Sequence, residues 1–173
     1  TLPLINGFIA RGNVPEVNLA AYAVALSVGH TMVNPVTMLH QVALSYVKEG
    51  DSRSRAQVVR FFTRVAATFA AMIALFAFTP LGAWLLRGPM GLPGSVAGPA
   101  QACLGFFVII AVASAVREYV FGLLLQRRRT ESIGAAKVAT TVVMAGVLAA
   151  GLRLYPASMA VVAAAALALG AVV

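Results

Sequence analysis

Polar side chains recur along one face of a long apolar stretch, residues 19–47, which carries no Asp, Glu, Lys or Arg. At about 100° per residue on an α-helix, they fall on one narrow stripe. The stripe consists of Ser27, His30, Asn34, Thr37 and Gln41. Polar groups at mid-membrane depth face other helices or a wet cavity, so we predict that this helix lines a solute pathway.

His30, Asn34 and Gln41 are the candidate solute contacts on this stripe. His30 and Gln41 can donate hydrogen bonds to an oxyanion, and His30 can accept a proton near neutral pH. Pro35 removes a backbone donor and predicts a kink beside Asn34. The alternative is that these polar groups bond neighbouring helices. For Thr37 we favour a structural role, because threonine also bonds its own helix backbone.

Arg117 and Glu118 are charged residues inside another apolar run, about residues 100–126. About 13 Å of helix separates Arg117 from Gln126, which places it near the middle of an apolar layer about 30 Å thick. A charge there costs at least about 2.5 kcal/mol. Adjacent side chains point about 100° apart, so at least one of the two should have a partner elsewhere. Anion binding or gating is the functional interpretation, and a structural ion pair or snorkelling is the alternative.

The sequence contains no arrangement typical of catalysis or of metal binding. His30 and His40 fall on different faces of one helix, and paired carboxylates at usable spacing are missing. Cys103 stands alone in an apolar run, which is typical of a small buried residue. We therefore predict no enzymatic activity, no metal and no cofactor, and we assign His40 an interfacial role near the end of its helix.

The composition is that of an integral membrane protein. Of the 173 residues, 61% are hydrophobic and 10% are charged, and the mean hydropathy is +0.91. In soluble domains charged residues make up about 25%. The net charge of +8 would suggest nucleic acid as a partner in a soluble protein. Here most basic residues flank apolar runs, so we expect no nucleic-acid binding.

We predict an all-α, polytopic transmembrane bundle of about six helices, forming a single domain over residues 1–173. Residues 48–57 are predicted to be a polar connection, and residues 87–99, rich in glycine and proline, a loop. Gly146 and Ala150 predict a close-packing face. Both ends of the chain are apolar, so we expect it to be a fragment of a longer transporter. The helices are expected at about 2–10 (partial), 19–47, 58–86, 100–126, 131–152 and 157–173 (partial).

The basic residues alternate along the chain in a way that predicts its orientation. One set lies after the second and fourth helices, and a smaller set lies in the alternate connections. Since cytoplasmic connections are enriched in Lys and Arg, residues 48–57 and 127–130 are predicted to be cytoplasmic, in a multi-pass protein of a bacterial inner membrane. Lys137 is expected to snorkel to the same surface. The first set is Lys48, Arg53, Arg55, Arg60, Arg64, Arg127, Arg128 and Arg129; the second is Arg11, Arg87 and Arg153.

The stretch NPVTMLHQVALSYV, residues 34–47, resembles the second-helix region of the progressive ankylosis protein family. These transporters have the fold of the multidrug/oligosaccharidyl-lipid/polysaccharide exporters. Ala43 replaces the family's glycine, and His40 stands where a lysine is usual. Residues 6–12 and 122–138 are also similar, and the latter, with residues 19–26, resembles multidrug and toxin extrusion proteins. The matching positions are Pro35, Thr37, His40, Gln41, Val42, Leu44 and Tyr46.

The resemblance implies two lobes of about six helices each, with the substrate cavity between them and alternating access as the mechanism. This chain is then most of the first lobe, and the missing C-terminal lobe is its partner. The ankylosis-type branch implies export of anions such as pyrophosphate, nucleotide or citrate, so the expected partners are an anionic or amphiphilic solute, membrane lipids and a coupling ion. The alternatives are a cation-coupled drug antiporter that uses Glu118, a flippase for lipid-linked oligosaccharides, and a non-transporting membrane scaffold.

Overall fold

The computed structural model describes residues 2–47, 51–126 and 131–172, except for the side chains of residues 132 and 133. Within these ranges the chain is α-helical, with one short 3-10 turn and no strand, so the predicted all-α fold is confirmed. The helices are α1 (Leu2–Ile9), α2 (Pro15–Thr37), α3 (Leu39–Tyr46), α4 (Ser52–Phe78), α5 (Pro80–Arg87), α6 (Gly94–Gln126), α7 (Glu131–Leu154) and α8 (Met159–Val172).

Four helical stretches are long and apolar enough to cross a membrane, which supports a membrane-embedded protein. The first of them combines α2 and α3, and the others are formed by α4, α6 and most of α7. They are Pro15–Tyr46, Ser52–Phe78, Gly94–Gln126 and Gly134–Leu154. The shorter apolar stretch Pro156–Val172 follows them.

The long helix α6 lies at the centre of the bundle. It packs against α2, α3, α4 and α8 and buries Cys103, Phe107 and Ala111 completely. Helix α7 packs mainly on α8, through the buried side chains of Met144 and Leu148. Because α6 and α7 make few contacts with each other, a groove remains between them.

The predicted continuous helix 19–47 is interrupted. It begins earlier, at Pro15, and breaks at Met38 into α2 and α3. Pro35 lies in the last turn of α2, where its ring removes a backbone donor, so the helical hydrogen bonding is already weakened before the break. The predicted kink is therefore a break located three residues after Pro35.

The predicted helix 58–86 also consists of two helices. Thr79 separates α4 from α5 and has an extended backbone, with φ −116° and ψ 163°. The residue before a proline is pushed out of the helical region, and Pro80 follows Thr79 directly. Because Pro80 has no backbone N–H, the Phe76 carbonyl lacks its usual helical donor. The side chain of Gln101 on α6 donates to this carbonyl at 3.3 Å and to the Thr79 carbonyl at 2.9 Å.

Two predicted connections are shorter than expected. Helix α4 begins inside the predicted connection 48–57, because the Asp51 side chain accepts a hydrogen bond from the Arg53 backbone at 2.9 Å and caps the helix. Residues 48–50 lie outside the described residues, as do residues 127–130. Helix α6 begins at Gly94, inside the predicted loop 87–99. Its first turn buries Val96 and Ala97, and this burial outweighs the low helix propensity of the glycines and prolines.

The predicted close-packing face of α7 is wrong. A methyl group added at Gly146 would meet nothing within 4 Å, and Ala150 is exposed. A methyl group added at Gly151 would instead collide with Val162, so α7 packs closely against α8 at this glycine.

Contacts between helix ends show which connections share a side of the bundle. The Gln126 side chain at the end of α6 donates to the Val47 carbonyl after α3, at 2.9 Å. The Asn13 backbone donates to the Pro156 carbonyl at 2.9 Å. The connection before α2 therefore meets the connection before α8, and α3 and α6 end together. This pairing is the one that an alternating topology requires.

Candidate functional site

A small cavity of about 310 Å³ lies beside α6, between α2 and the helices α7 and α8. Its polar lining comes from His30, Asn34 and Thr37 on α2, from Ser114 and Arg117 on α6 and from Thr140 on α7. The remaining walls are mostly apolar. The structure thus brings the polar stripe and the intramembrane arginine, which are far apart in the sequence, to one cavity.

His30 and Asn34 face this cavity without support from the protein. Both residues are exposed, and neither side chain has a hydrogen-bond partner within the described part of the chain. The His30 ring only meets the edge of Phe107, with the ring centroids 6.0 Å apart and the planes at 72°. Polar groups without partners are costly in an apolar layer, so water or a polar solute must satisfy them.

Arg117 connects the cavity to a cluster of three ionisable side chains. The carboxylate of Glu118 lies between the Nη2 atom of Arg117, at 3.4 Å, and the Nδ1 atom of His40, at 3.0 Å. The Glu118 side chain is only 10% exposed, whereas that of Arg117 is 38% exposed. His40 on α3 is thus the partner that the sequence predicted for this pair on another helix.

His40, for which the sequence predicted an interfacial role, contacts α6 through Glu118. Its Nδ1 atom lies 2.9 Å from the Thr37 carbonyl as well as 3.0 Å from Glu118. Both partners are hydrogen-bond acceptors, so Nδ1 carries a proton that it shares between them. His40 therefore stabilises the carbonyl end of α2 and the buried carboxylate at the same time.

Arg117 also lines a second, larger cavity of about 1440 Å³ between α6 and the helices α7 and α8. His40 and Glu118 line this groove too, and α7 contributes Lys137 and Thr140. Thr140 lines both cavities. The arginine therefore stands at the junction between a small polar cavity and a large groove.

The other stripe residues lie elsewhere or have structural roles. Gln41 is exposed on α3 and lines neither of the two cavities. Ser27 donates to the Ala23 carbonyl at 2.9 Å. Thr37 donates to the Asn34 carbonyl at 2.8 Å, which confirms its predicted bond to the backbone of its own helix. Only the middle part of the stripe thus reaches the cavity.

The sequence did not predict Ser114 and Thr140 as lining residues. It predicted Lys137 at the membrane surface, whereas the structure places this residue in the lining of the groove. Ser114 is buried and accepts a hydrogen bond from Arg117 at 3.4 Å. The only available signal for Ser114 was its position three residues before Arg117, one turn away on the same face. Nothing in the local sequence marks Thr140, because single threonines are common in apolar helices.

No group of three His, Cys, Asp or Glu side chains in the described ranges is placed to hold a metal ion. Comparisons with protein-family models, with curated proteins and with solved structures gave no match. The chemistry of the site therefore has to be inferred from its own geometry.

Proposed function

We propose that this protein is a multi-pass membrane transporter that exports an anionic or amphiphilic small solute by alternating access. One observation carries the proposal. His30 and Asn34, without hydrogen-bond partners among the described residues, share one cavity with the partly exposed Arg117. Residues that serve only to hold helices together would be bonded to those helices. A solute or water is the natural partner for this set.

An anion is the solute class that the site favours. Both contacts of Arg117 to described residues, to Ser114 and Glu118, are made through Nη2, so its Nε and Nη1 groups are available to a solute. Guanidinium groups bind carboxylates and phosphates with two parallel hydrogen bonds. His30 and the Asn34 amide add neutral donors. The cavity volume of about 310 Å³ suits a small solute.

Alternating access is supported by the way the helices are assembled. The break at Met38 lies directly beside the site and offers a hinge between α2 and α3. The resemblance to the ankylosis-type exporters implies a second lobe, and we propose that this lobe completes the cavity wall. In this proposal residues 48–57 and 127–130 face the cytoplasm of a bacterial inner membrane.

Solute flux through the full-length protein in proteoliposomes tests the proposal, with pyrophosphate, citrate and a nucleotide as probes. We expect Arg117→Gln to lower the flux of the transported anion at least tenfold, because a charged hydrogen bond contributes about 1.5–3 kcal/mol. His30→Ala should lower it less. Arg60→Gln, at an exposed position on α4, is the matched control. Unchanged flux in both Arg117→Gln and His30→Ala would remove this cavity from the pathway.

Glu118 is the residue that separates anion export from cation-coupled antiport. In an antiporter it would act as the coupling carboxylate and would need access to protons. Its burial between Arg117 and His40 gives this alternative less support. Efflux driven by a pH gradient should survive in Glu118→Gln if the protein is an anion exporter, and it should be abolished if Glu118 couples a cation.

The scaffold alternative differs from transport in how water reaches the cavity. Cysteines introduced at positions 30 and 34, in a variant without Cys103, should react with a membrane-impermeant thiol reagent if the cavity is part of a pathway. Protection of both positions would instead indicate a packed interface with another protein.

A further inference from the structure

We infer that the solute is an anionic amphiphile with a single apolar chain, whose head occupies the small cavity and whose chain lies in the groove between α6 and α7. This inference rests on the proposed transport function. The two cavities are continuous in their lining, because Thr37, Arg117 and Thr140 belong to both. A molecule bound to Arg117 therefore has access to both spaces at once.

The groove has the shape and surface of a site for an apolar chain. Its volume is about 1440 Å³, more than four times that of the small cavity at about 310 Å³. Its α6 wall runs from residue 108 to residue 124, about 24 Å along the helix axis. Apolar residues at successive turns form this wall: Val108, Ile109, Val112, Val116, Val120 and Phe121.

The charges in the groove favour an anionic head. The charged or titratable side chains of the described residues that line it are Arg117, Lys137, Glu118 and His40. Arg117 and Lys137 are cationic, and Glu118 is the one carboxylate among these four. The charges of Arg117, Lys137 and Glu118 sum to one positive charge, and an anion on Arg117 would balance it. A cationic amphiphile would leave a second uncompensated charge in an apolar layer.

The small cavity restricts what the head can be. A volume of about 310 Å³ lies at the lower end of the range for ligand sites. It accepts a phosphate or carboxylate group on His30, Asn34 and Arg117, whereas an oligosaccharide head is too large. The inference therefore commits to a single-chain amphiphile with a compact head rather than to a lipid-linked sugar.

Calorimetric titration of the full-length protein in lipid nanodiscs tests this inference, after subtraction of the signal from empty discs. The probes are inorganic phosphate, hexyl phosphate and hexanol, which separate the head from the chain. Full burial of a methylene improves affinity about fourfold, and the groove is open on one side. We therefore expect hexyl phosphate to bind at least tenfold more tightly than phosphate, and hexanol to show no saturable binding.

Two matched substitutions locate the chain. Val116 is 61% exposed and lines the groove, whereas Val142 is 65% exposed on α7 and lines neither of the two cavities. In Val116→Trp the bulky ring fills the groove, so the affinity for hexyl phosphate should fall to about that for inorganic phosphate. Val142→Trp should keep the wild-type ratio.

The outcomes are distinguishable from failure of the proposed function. Equal affinities for phosphate and hexyl phosphate in the wild-type protein would overturn the inference of an amphiphilic solute. An unchanged ratio of these two affinities in Val116→Trp would also overturn it. Either result would leave the proposed anion transport intact. If hexanol binds as tightly as hexyl phosphate, the groove holds a bilayer lipid or a neutral chain, and the inference is likewise overturned. No binding of either phosphate would count against the proposed function itself.

Discussion

Gly122 is the position where α3 and α6 approach most closely beside the charged cluster. A methyl group added there would lie 2.5 Å from the Cβ atom of Ala43 and 3.1 Å from the His40 carbonyl oxygen. Carbon atoms in contact are normally about 3.5–4.0 Å apart. The substitution Gly122→Ala therefore forces α3 outward by about 1–1.5 Å, and such overpacking costs about 1–3 kcal/mol.

Gly146 provides the matched control for this substitution. It also lies within a helix, but a methyl group added there meets nothing within 4 Å. Replacing glycine by alanine inside a helix contributes about 0.5–1 kcal/mol, and this gain is common to both variants. The difference in stability between Gly122→Ala and Gly146→Ala therefore isolates the crowding at α3, about 1–3 kcal/mol.

The chain carries its own reporter for the measurement. Cys103 is the only cysteine and is completely buried, so a thiol-reactive dye responds when α6 loses its packing. At about 2–4 °C per kcal/mol for a chain of this size, Gly122→Ala should melt about 2–12 °C below Gly146→Ala. Equal melting temperatures, or a higher value for Gly122→Ala, would refute the close contact between α3 and α6.

Two further predictions concern the cluster and the orientation of the chain. A double-mutant cycle of His40→Ala and Glu118→Gln should give a coupling energy of about 1 kcal/mol in the same melting assay. The two side chains share one hydrogen bond, and His40 is partly exposed. Strictly additive effects would show that the pair contributes nothing to stability. Cysteines at Ser52 and Met90, introduced singly without the native cysteine, should react with impermeant reagents from opposite sides of the membrane. Reaction from the same side would invalidate the predicted topology.

Hydropathy and length were sufficient to predict the helices of this fold. Apolar runs long enough to cross a bilayer leave few structural alternatives, because backbone groups in lipid must be bonded within the segment. The breaks at Met38 and Thr79 were harder to place. A proline inside a membrane helix is tolerated in many settings, so Pro35 and Pro80 predict a disturbance without fixing its position.

The site was predictable in its residue types and less so in its pairings. His30, Asn34 and Arg117 were identified because polar residues are rare and costly inside apolar runs. The partner of Glu118 lies 78 residues away, and no local pattern connects the two. Gln41 shares the period of the stripe but lies beyond the break, where the face of the helix no longer points to the cavity. Periodicity identifies a face only as long as the helix continues.

The break at Met38 lies between the proposed anion site and the charged cluster. In a continuous helix His40 would lie about 80° around the axis from His30, too far to share its surroundings. The interruption leaves the Thr37 carbonyl free, and His40 bonds it while reaching Glu118. Glu118 in turn contacts Arg117, which lines the cavity. In the proposed mechanism, a movement of α3 relative to α2 would change how strongly Glu118 neutralises Arg117, and so the affinity of Arg117 for an anion.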